Sequence, residues 1–197
     1  MSLLVLASKS RVRADLMSAA GLSFEMVGSQ VDEEGAKARL LARKASPREI
    51  AQALADEKAV AVSNASPGLV IGADQTLELD GALFDKVATI EAARHRLVCL
   101  RGCVHQLHAA VSAARDGAVL WRTVKTVSLA MRAVSDAFLD GYLARNGEAL
   151  LSSVGCYQLE GEGVQLFERI DGDYFAILGL PMIELLEFLR GQGVVAS

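Results

Sequence analysis

The chain lacks the features that mark several specialised classes of protein. Three cysteines among 197 residues are too few for a disulfide framework. No apolar run approaches the length of a membrane span. The first residues set a short apolar run ahead of basic ones, the reverse of a signal peptide's order, so a cytoplasmic protein is predicted. There is no basic excess either: the net charge is −4, which argues against a protein that coats nucleic acid. Internal repeats, low-complexity tracts and domain linkers are also missing. What is present is a hydrophobic share of 52% beside 22% charged residues, enough for a folded core, and a single domain over 1–197 is predicted.

Residues 69–81, LVIGADQTLELDG, are the stretch from which the rest can be organised. Leu69-Val70-Ile71 is a short β-branched apolar run, and Gly72-Ala73 removes side-chain bulk just before Asp74. This predicts a buried strand whose end delivers one carboxylate where a ligand can approach the backbone. After Gln75, Thr76-Leu77-Glu78-Leu79 alternates polar and apolar, and Asp80-Gly81 is a type I′ turn pair, so a hairpin follows. Asp74 either caps a strand end or serves a site. A site needs basic residues and a second carboxylate from elsewhere in the chain.

The preceding segments hold candidates for both. Leu3-Leu4-Val5-Leu6 predicts a first buried strand. A helix follows, capped by Ser10 and stopped by Gly21, with Val12, Leu16, Ala19 and Ala20 at helical spacing. Lys9, Arg11 and Arg13 crowd its N-terminus, where the helix dipole disfavours each cation by roughly a few tenths of a kcal/mol. An anion in the turn would offset that, since backbone N–H groups point at it; a solvated basic face is the alternative. The glycines and the Gly-Lys-Ser/Thr ending of a Walker loop are absent. A second strand, Ser23 to Val27, leads to Asp32-Glu33-Glu34, which reads as a solvated loop or as a ligand for a divalent ion. Residues 35–45 are basic and read as a mobile helix or loop. Ser46-Pro47-Arg48-Glu49 is a helix start with a capping box. Ile50, Ala51, Leu54, Ala55, Ala61 and Val62 then make one apolar stripe, with Lys58 in its middle. A lysine there must snorkel out or find an anion.

Beyond the hairpin, Phe84-Asp85-Lys86 sets another lysine just past a strand, and Thr89 caps a helix carrying Ala92, Ala93, Arg96, Leu97 and Leu100. Cys99, Cys103, His105 and His108 form C-x3-C-x-H-x2-H, which invites zinc. Cys99 belongs to that helix, however, and His105 and His108 lie on opposite faces of a strand, so zinc is not predicted. Two long strands at about 104–114 and 118–131 join through Arg115-Asp116-Gly117, with Trp121 and Met131 as packing residues. Ser135 caps a helix with Phe138, Leu139, Tyr142 and Leu143 that stops at Asn146-Gly147. A strand near Val154 to Leu159, a flexible Glu160-Gly161-Glu162-Gly163 and a strand from Val164 to Ile170 follow. The last helix has Pro181 at its first position and Leu185, Leu186 and Leu189 on its apolar side. Hairpins mixed with strand–helix units predict an α/β domain with strands of both directions.

The segments LASKSRVRADLM, VDEE, the lysine in ALADEKA, LVIGADQTLELDG, the lysine in FDKV, LRGCVH, GCYQLEGEG and FERIDGDYFAILGLP run nearly end to end. In that combination and order the chain resembles the Maf family of nucleoside triphosphate pyrophosphatases. The resemblance implies a Maf/ITPase-like α/β fold, an elongated central mixed β-sheet flanked by helices around a cleft. It also implies cleavage of nucleotides between the α- and β-phosphates with Mg²⁺ or Mn²⁺. Members are often dimeric, so a homodimer is an option for this chain. Neither nucleic acid nor a membrane is implied as a partner.

By the same resemblance the catalytic carboxylate, taken as the proton acceptor, falls on Asp74. The phosphate-contacting serine and arginine fall on Ser8 and Arg13, the acidic partner on Glu33, and the two lysines on Lys58 and Lys86. Asp74 and Glu33 would hold the metal. Three positions that tune the base fall on Val12, Gln75 and Glu160. The pyrimidine-preferring branch carries Arg, Thr and Gln there, and the 7-methyl-GTP branch Trp, Gln and Glu; this chain matches the second at two of three. A glutamate can accept from both N1–H and the exocyclic amine of guanine, whereas Val12 removes the stacking surface of a tryptophan. Arg11 and Val87 replace prolines usual in the family, and Cys103-Val104 stand where Arg-Thr is common before His105.

The implied reaction is attack of water on the α-phosphorus, with Asp74 orienting or deprotonating it. Arg13, Lys58 and Lys86 would hold the triphosphate over the Ser8–Arg13 turn. The competing reading is a non-hydrolytic nucleotide-binding regulator of cell division, acting in septum formation, which has no need of the metal-binding acids. A plain structural module leaves Lys58 and the Ser8–Arg13 turn unexplained.

Overall fold

The structure, a computed structural model, describes residues 3–196; residues 1, 2 and 197 of the predicted domain lie outside the described residues. In the first part of the chain the elements are β1 (Leu4–Ala7), α1 (Arg11–Ala19), β2 (Glu25–Met26), α2 (Glu33–Ala42), α3 (Pro47–Ser63), β3 (Leu69–Leu79) and β4 (Ala82–Phe84). Then come α4 (Ile90–Leu100), β5 (Val104–Arg115), β6 (Ala118–Met131), α5 (Asp136–Asn146), β7 (Phe167–Asp171), α6 (Tyr174–Ile177) and α7 (Met182–Gly191). The strands form one seven-stranded sheet in the order β2-β1-β3-β5-β6-β7, with β4 on β3. β1 is parallel to β2 and β3, while β4 and β7 are antiparallel to their neighbours, so the predicted mixed α/β sheet is observed. Among the described residues no helix is long and apolar enough to cross a membrane.

The residues cluster into two compact units, and the division falls inside β3, β5 and β6. The first unit runs to Gln75, takes in 108–126, and resumes at Asp173. Its strands β1 and the first part of β3 are buried on both faces, which explains why LVLA and LVI read as unbroken apolar runs. Leu4, Leu6, Leu69 and Ile71 pack with Met17 of α1 and Leu185 and Leu189 of α7. Their alternates Val5, Ala7 and Val70 pack with Val62 of α3. The buried residues of α1 are Ala14 and Met17, not the Val12, Leu16, Ala19 and Ala20 face read from spacing. Ala19 and Ala20 are exposed, at the end of the helix and just past it. In α3 the stripe runs through Ala59 rather than the exposed Ala61. Trp121 stacks on Phe188, ring centroids 4.8 Å apart, as a packing residue.

The second unit comprises 76–107 and 127–172. It opens with the predicted hairpin, in which Asp80 and Gly81 both adopt positive φ (51° and 79°) and pair Leu79 with Ala82. Its core brings Ala93, Leu97 and Leu100 of α4 together with Leu139, Tyr142 and Leu143 of α5, all buried. The strand expected near Val154 to Leu159 does not form. Cys156 sits at φ 58° there, a left-handed conformation that no strand contains, and 3₁₀ turns over Gly147–Ser152 and Glu162–Leu166 flank it. The last strand accordingly starts at Phe167 instead of Val164. Glu162, expected in a flexible stretch, is fastened: Arg145 Nε and Asn146 Nδ2 both donate to its carboxylate at 2.9 Å.

His105 is fully buried in this unit, its Nε2 2.8 Å from the Tyr157 hydroxyl, with Tyr157 set edge-on to Phe167. Burial holds the imidazole down, from 6.5 to about 4. Folding stability is therefore complete above the unfolded value of 6.5 and lost as pH falls toward 4, where the unfolded chain takes up the proton first. The full loss is ~3 kcal/mol. Urea unfolding between about pH 4 and about pH 7 should show this decline, and His105→Gln should flatten it. An equal decline in the variant would rule out His105 as its source.

Candidate active site

Asp74 lies in mid-strand, not at a strand end: β3 continues through it to Leu79. Strand alternation puts Val70, Gly72 and Asp74 on the α3 side of the sheet. Gly72 matters here for a reason other than ligand approach. A Cβ at Gly72 would lie 2.4 Å from the Ala55 carbonyl oxygen and 2.5 Å from the Ala59 nitrogen. The missing side chain thus lets the α3 backbone lie directly against β3. The capping box fixes the start of that helix: the Ser46 hydroxyl accepts from Glu49 N–H, and the Glu49 carboxylate accepts from Ser46 N–H. Lys58, one residue before Ala59, is thereby driven into the interior.

Its partner is Asp74. Lys58 Nζ donates to Asp74 Oδ1 at 2.6 Å and sits 3.0 Å from Glu33 Oε1. The Lys58 side chain is 8% exposed, that of Asp74 11%, and that of Glu33 43%, so the three form a path from the interior to solvent. Glu33 reaches this place because Asp32 caps α2, accepting from Gly35 N–H at 3.0 Å, and so starts the helix at Glu33. A basic stretch read as mobile is thus a helix that positions an acid.

The first turn closes on the same peptide. Ser10 caps α1 through Arg13 N–H, and Ser8 Oγ accepts from Ser10 N–H at 3.1 Å and from Arg13 Nη1 at 3.4 Å. Arg13 Nη1 also donates to the Ala73 carbonyl, and Nε to the Gly179 carbonyl, each at 2.9 Å. Gln75 Nε2 donates to the carbonyls of Ala176 and Ile177, both at 2.9 Å. The α6 segment is therefore tied to the residues on either side of Asp74. No site residue was assigned there from the sequence, although the segment FERIDGDYFAILGLP spans it; the Asp173 side chain accepts from Phe175 and Ala176 N–H and starts the turn.

Burial raises the Asp74 carboxyl above the usual carboxylate range, opposed by the charges of Lys58 and Arg13. Burial also pulls the Arg13 guanidinium below its ordinary value, against the attraction of Asp74 and Glu33. Asp74 is thus a more basic carboxylate than an exposed one, kept near cations that favour its charged form. Among the described residues no three His, Cys, Asp or Glu side chains form a metal cluster. Asp74 and Glu33 nevertheless face one cation position, at the Lys58 ammonium. Two carboxylates suit an ion of the Mg²⁺ type that takes its remaining oxygens from phosphate and water.

The other expected residues lie as follows. Val12 is half-buried on α1 beside Arg13. Lys86 and Glu160 are exposed residues of the second unit, Lys86 just beyond β4 and Glu160 in the turn before Glu162. The zinc-like quartet is used differently. His105 meets Tyr157, His108 Nδ1 lies 2.9 Å from Thr126 Oγ1, and Cys99 lies 3.7 Å from His95 Nδ1.

A family model described as Maf-like protein matches residues 3–192. A nucleoside triphosphate pyrophosphatase of Caulobacter vibrioides is 57% identical over 190 residues, 96% of this chain and 96% of that protein. The 7-methyl-GTP pyrophosphatase of Brucella abortus is 48% identical over 96% of both chains. That of Rhizobium meliloti is 47% identical over 98% of both. With a family match from β1 to the end of α7 and relatives about half identical over nearly the whole chain, the chain belongs to the Maf family.

Proposed function

We propose that the protein is a nucleoside triphosphate pyrophosphatase, converting a nucleoside triphosphate and water to the monophosphate and pyrophosphate. The observation that carries this reading is the buried Asp74 carboxylate 2.6 Å from Lys58, with Glu33 on the same ammonium. The names of the similar proteins support the substrate class. In this reading Asp74 takes the proton of a water whose oxygen bonds to the α-phosphorus, while the bond to the bridging oxygen breaks and pyrophosphate leaves. The desolvated carboxylate is suited to that step because its affinity for the proton is raised. Lys58 holds Asp74 in place and supplies positive charge toward the phosphates, and the Ser8 turn receives the phosphate chain. Asp74 and Glu33 would hold a divalent ion, which would supply neutralising charge for the leaving pyrophosphate.

The roles of Lys86, in charge neutralisation, and of Glu160, in accepting from a guanine-type base, rest on the family resemblance alone. Two of the similar proteins carry 7-methyl-GTP in their names, which supports a guanine-type base, ordinary or methylated. Val12 argues for less stacking on the base than a tryptophan would give.

Asp74→Asn should lower pyrophosphate release by about 10²–10³, by analogy with the loss of one charge-stabilising donor. Assays with GTP, 7-methyl-GTP, UTP and dTTP check this; near-wild-type turnover removes Asp74 from the mechanism, and tight binding without turnover in the wild type favours the regulator. Glu160→Gln should move selectivity away from guanine by about tenfold or more. An unchanged profile over the same four triphosphates would place the base elsewhere.

A further inference from the structure

We propose that Arg96 is a positioning residue that ties together two segments of the second unit, the one ending at Lys86 and the one leading to Glu160. Arg96 stands at helical spacing among the buried Ala93, Leu97 and Leu100 of α4 and is itself half-buried. As with Lys58, a charge in an apolar stripe needs partners. It has two. The guanidinium carbon lies 4.6 Å from the centre of the Phe84 ring, and Nη1 donates to the Val154 carbonyl. Phe84 stands two residues before Lys86, and Val154 six before Glu160. Burial pulls the guanidinium below its ordinary value, against the attraction of groups that include Asp85.

Each segment carries that hold to its far end. Phe84 closes β4, paired with Leu77, and Thr89 starts α4 by accepting from Ala92 N–H. Lys86 therefore lies in a short link between two fixed points. Beyond Val154 the chain makes closed turns in place of a strand: Cys156 N–H donates to the Ser153 carbonyl, and Gly161 N–H to the Gln158 carbonyl. The Tyr157 ring lies against the backbone of Gly155, where a Cβ would come within 2.2 Å of it. Glu162, held by Arg145 and Asn146, fastens the other side of the turn that bears Glu160. Arg96 is thus the anchor that this turn shares with the Lys86 link. A planar guanidinium suits the task, because it stacks through its face while it donates through its edge. A nucleotide with its phosphates at Lys86 and its base at Glu160 spans both segments. Their separation, fixed at Arg96, decides whether both contacts form at once.

What the two segments do rests on the pyrophosphatase reading; the tie between them rests on the contacts of Arg96. The test uses the full chain carrying Arg96→Met, which keeps the stem and loses the guanidinium, with Arg96→Lys as a second variant that keeps the charge. Amide hydrogen exchange over 82–87 and 153–161 is measured beside kcat and KM for GTP, 7-methyl-GTP, UTP and dTTP. In Arg96→Met exchange should quicken in both segments by about tenfold. KM for GTP should rise by about tenfold with kcat within about threefold, since the contacts weakened are made equally in the bound and transition states. Arg96→Lys, a cation without the planar fork, should fall between wild type and Arg96→Met in both readouts. Quickening in one segment alone, or in neither, overturns the tie. Quickening in both with unchanged kinetics, or with a loss confined to kcat, overturns the positioning role. A wild type inactive on all four triphosphates sinks the pyrophosphatase reading instead, and exchange in the two segments then decides the tie alone.

Discussion

The site depends on one ion pair drawn out of water, Lys58 with Asp74. Neither charge belongs in a sheet interior by itself: an uncompensated buried ion costs several kcal/mol, and removing one partner of such a pair typically costs about 3–5 kcal/mol. Each therefore requires the other, and Glu33 on the solvent side gives the ammonium a second acceptor. The arrangement is poorly suited to stability, since an apolar pair of the same volume would do as well or better. It is well suited to a reaction that needs a basic carboxylate beside a fixed positive charge.

Backbone geometry brings the pair together. Small residues on both surfaces, Gly72 on β3 and Ala55 and Ala59 on α3, let helix and strand approach until a four-carbon side chain spans the gap. A capping box and a proline fix where α3 starts, and hence which turn carries Lys58. The Ala73 carbonyl is tied to Arg13 of α1, and the Gln75 side chain, on the opposite face, to α6. Asp74 thus occupies a residue-long window in a strand gripped from both sides, which suits a group whose position must not drift.

Much of this was legible because it rests on local physics. The caps at Ser10, Ser46, Thr89 and Ser135, the Asp80-Gly81 hairpin and the apolar runs of β1 and β3 follow from side-chain oxygens, turn dihedrals and burial on two faces. Lys58 stood out because a charge in an apolar stripe demands a partner. What stayed hidden is what the chain cannot state locally. Gly72 looked like room for a ligand and is room for a helix, because only packing tells which neighbour fills the space. Val154 to Leu159 carries good strand formers, yet Cys156 turns left-handed, a tertiary choice that outweighs propensity. The carbonyls to which Arg13 donates lie 60 and 166 residues away, beyond what any local pattern states.

The most direct measurement is a double-mutant cycle on the pair: Lys58→Met, Asp74→Asn and both together, each unfolded in urea. If the ammonium and the carboxylate meet in a desolvated interior, the two changes must be strongly non-additive, with a coupling energy of about 1–3 kcal/mol and a double variant more stable than the Lys58→Met single. Stability changes that add within ~0.3 kcal/mol would mean the two groups do not share a site, and the account built on them would fail.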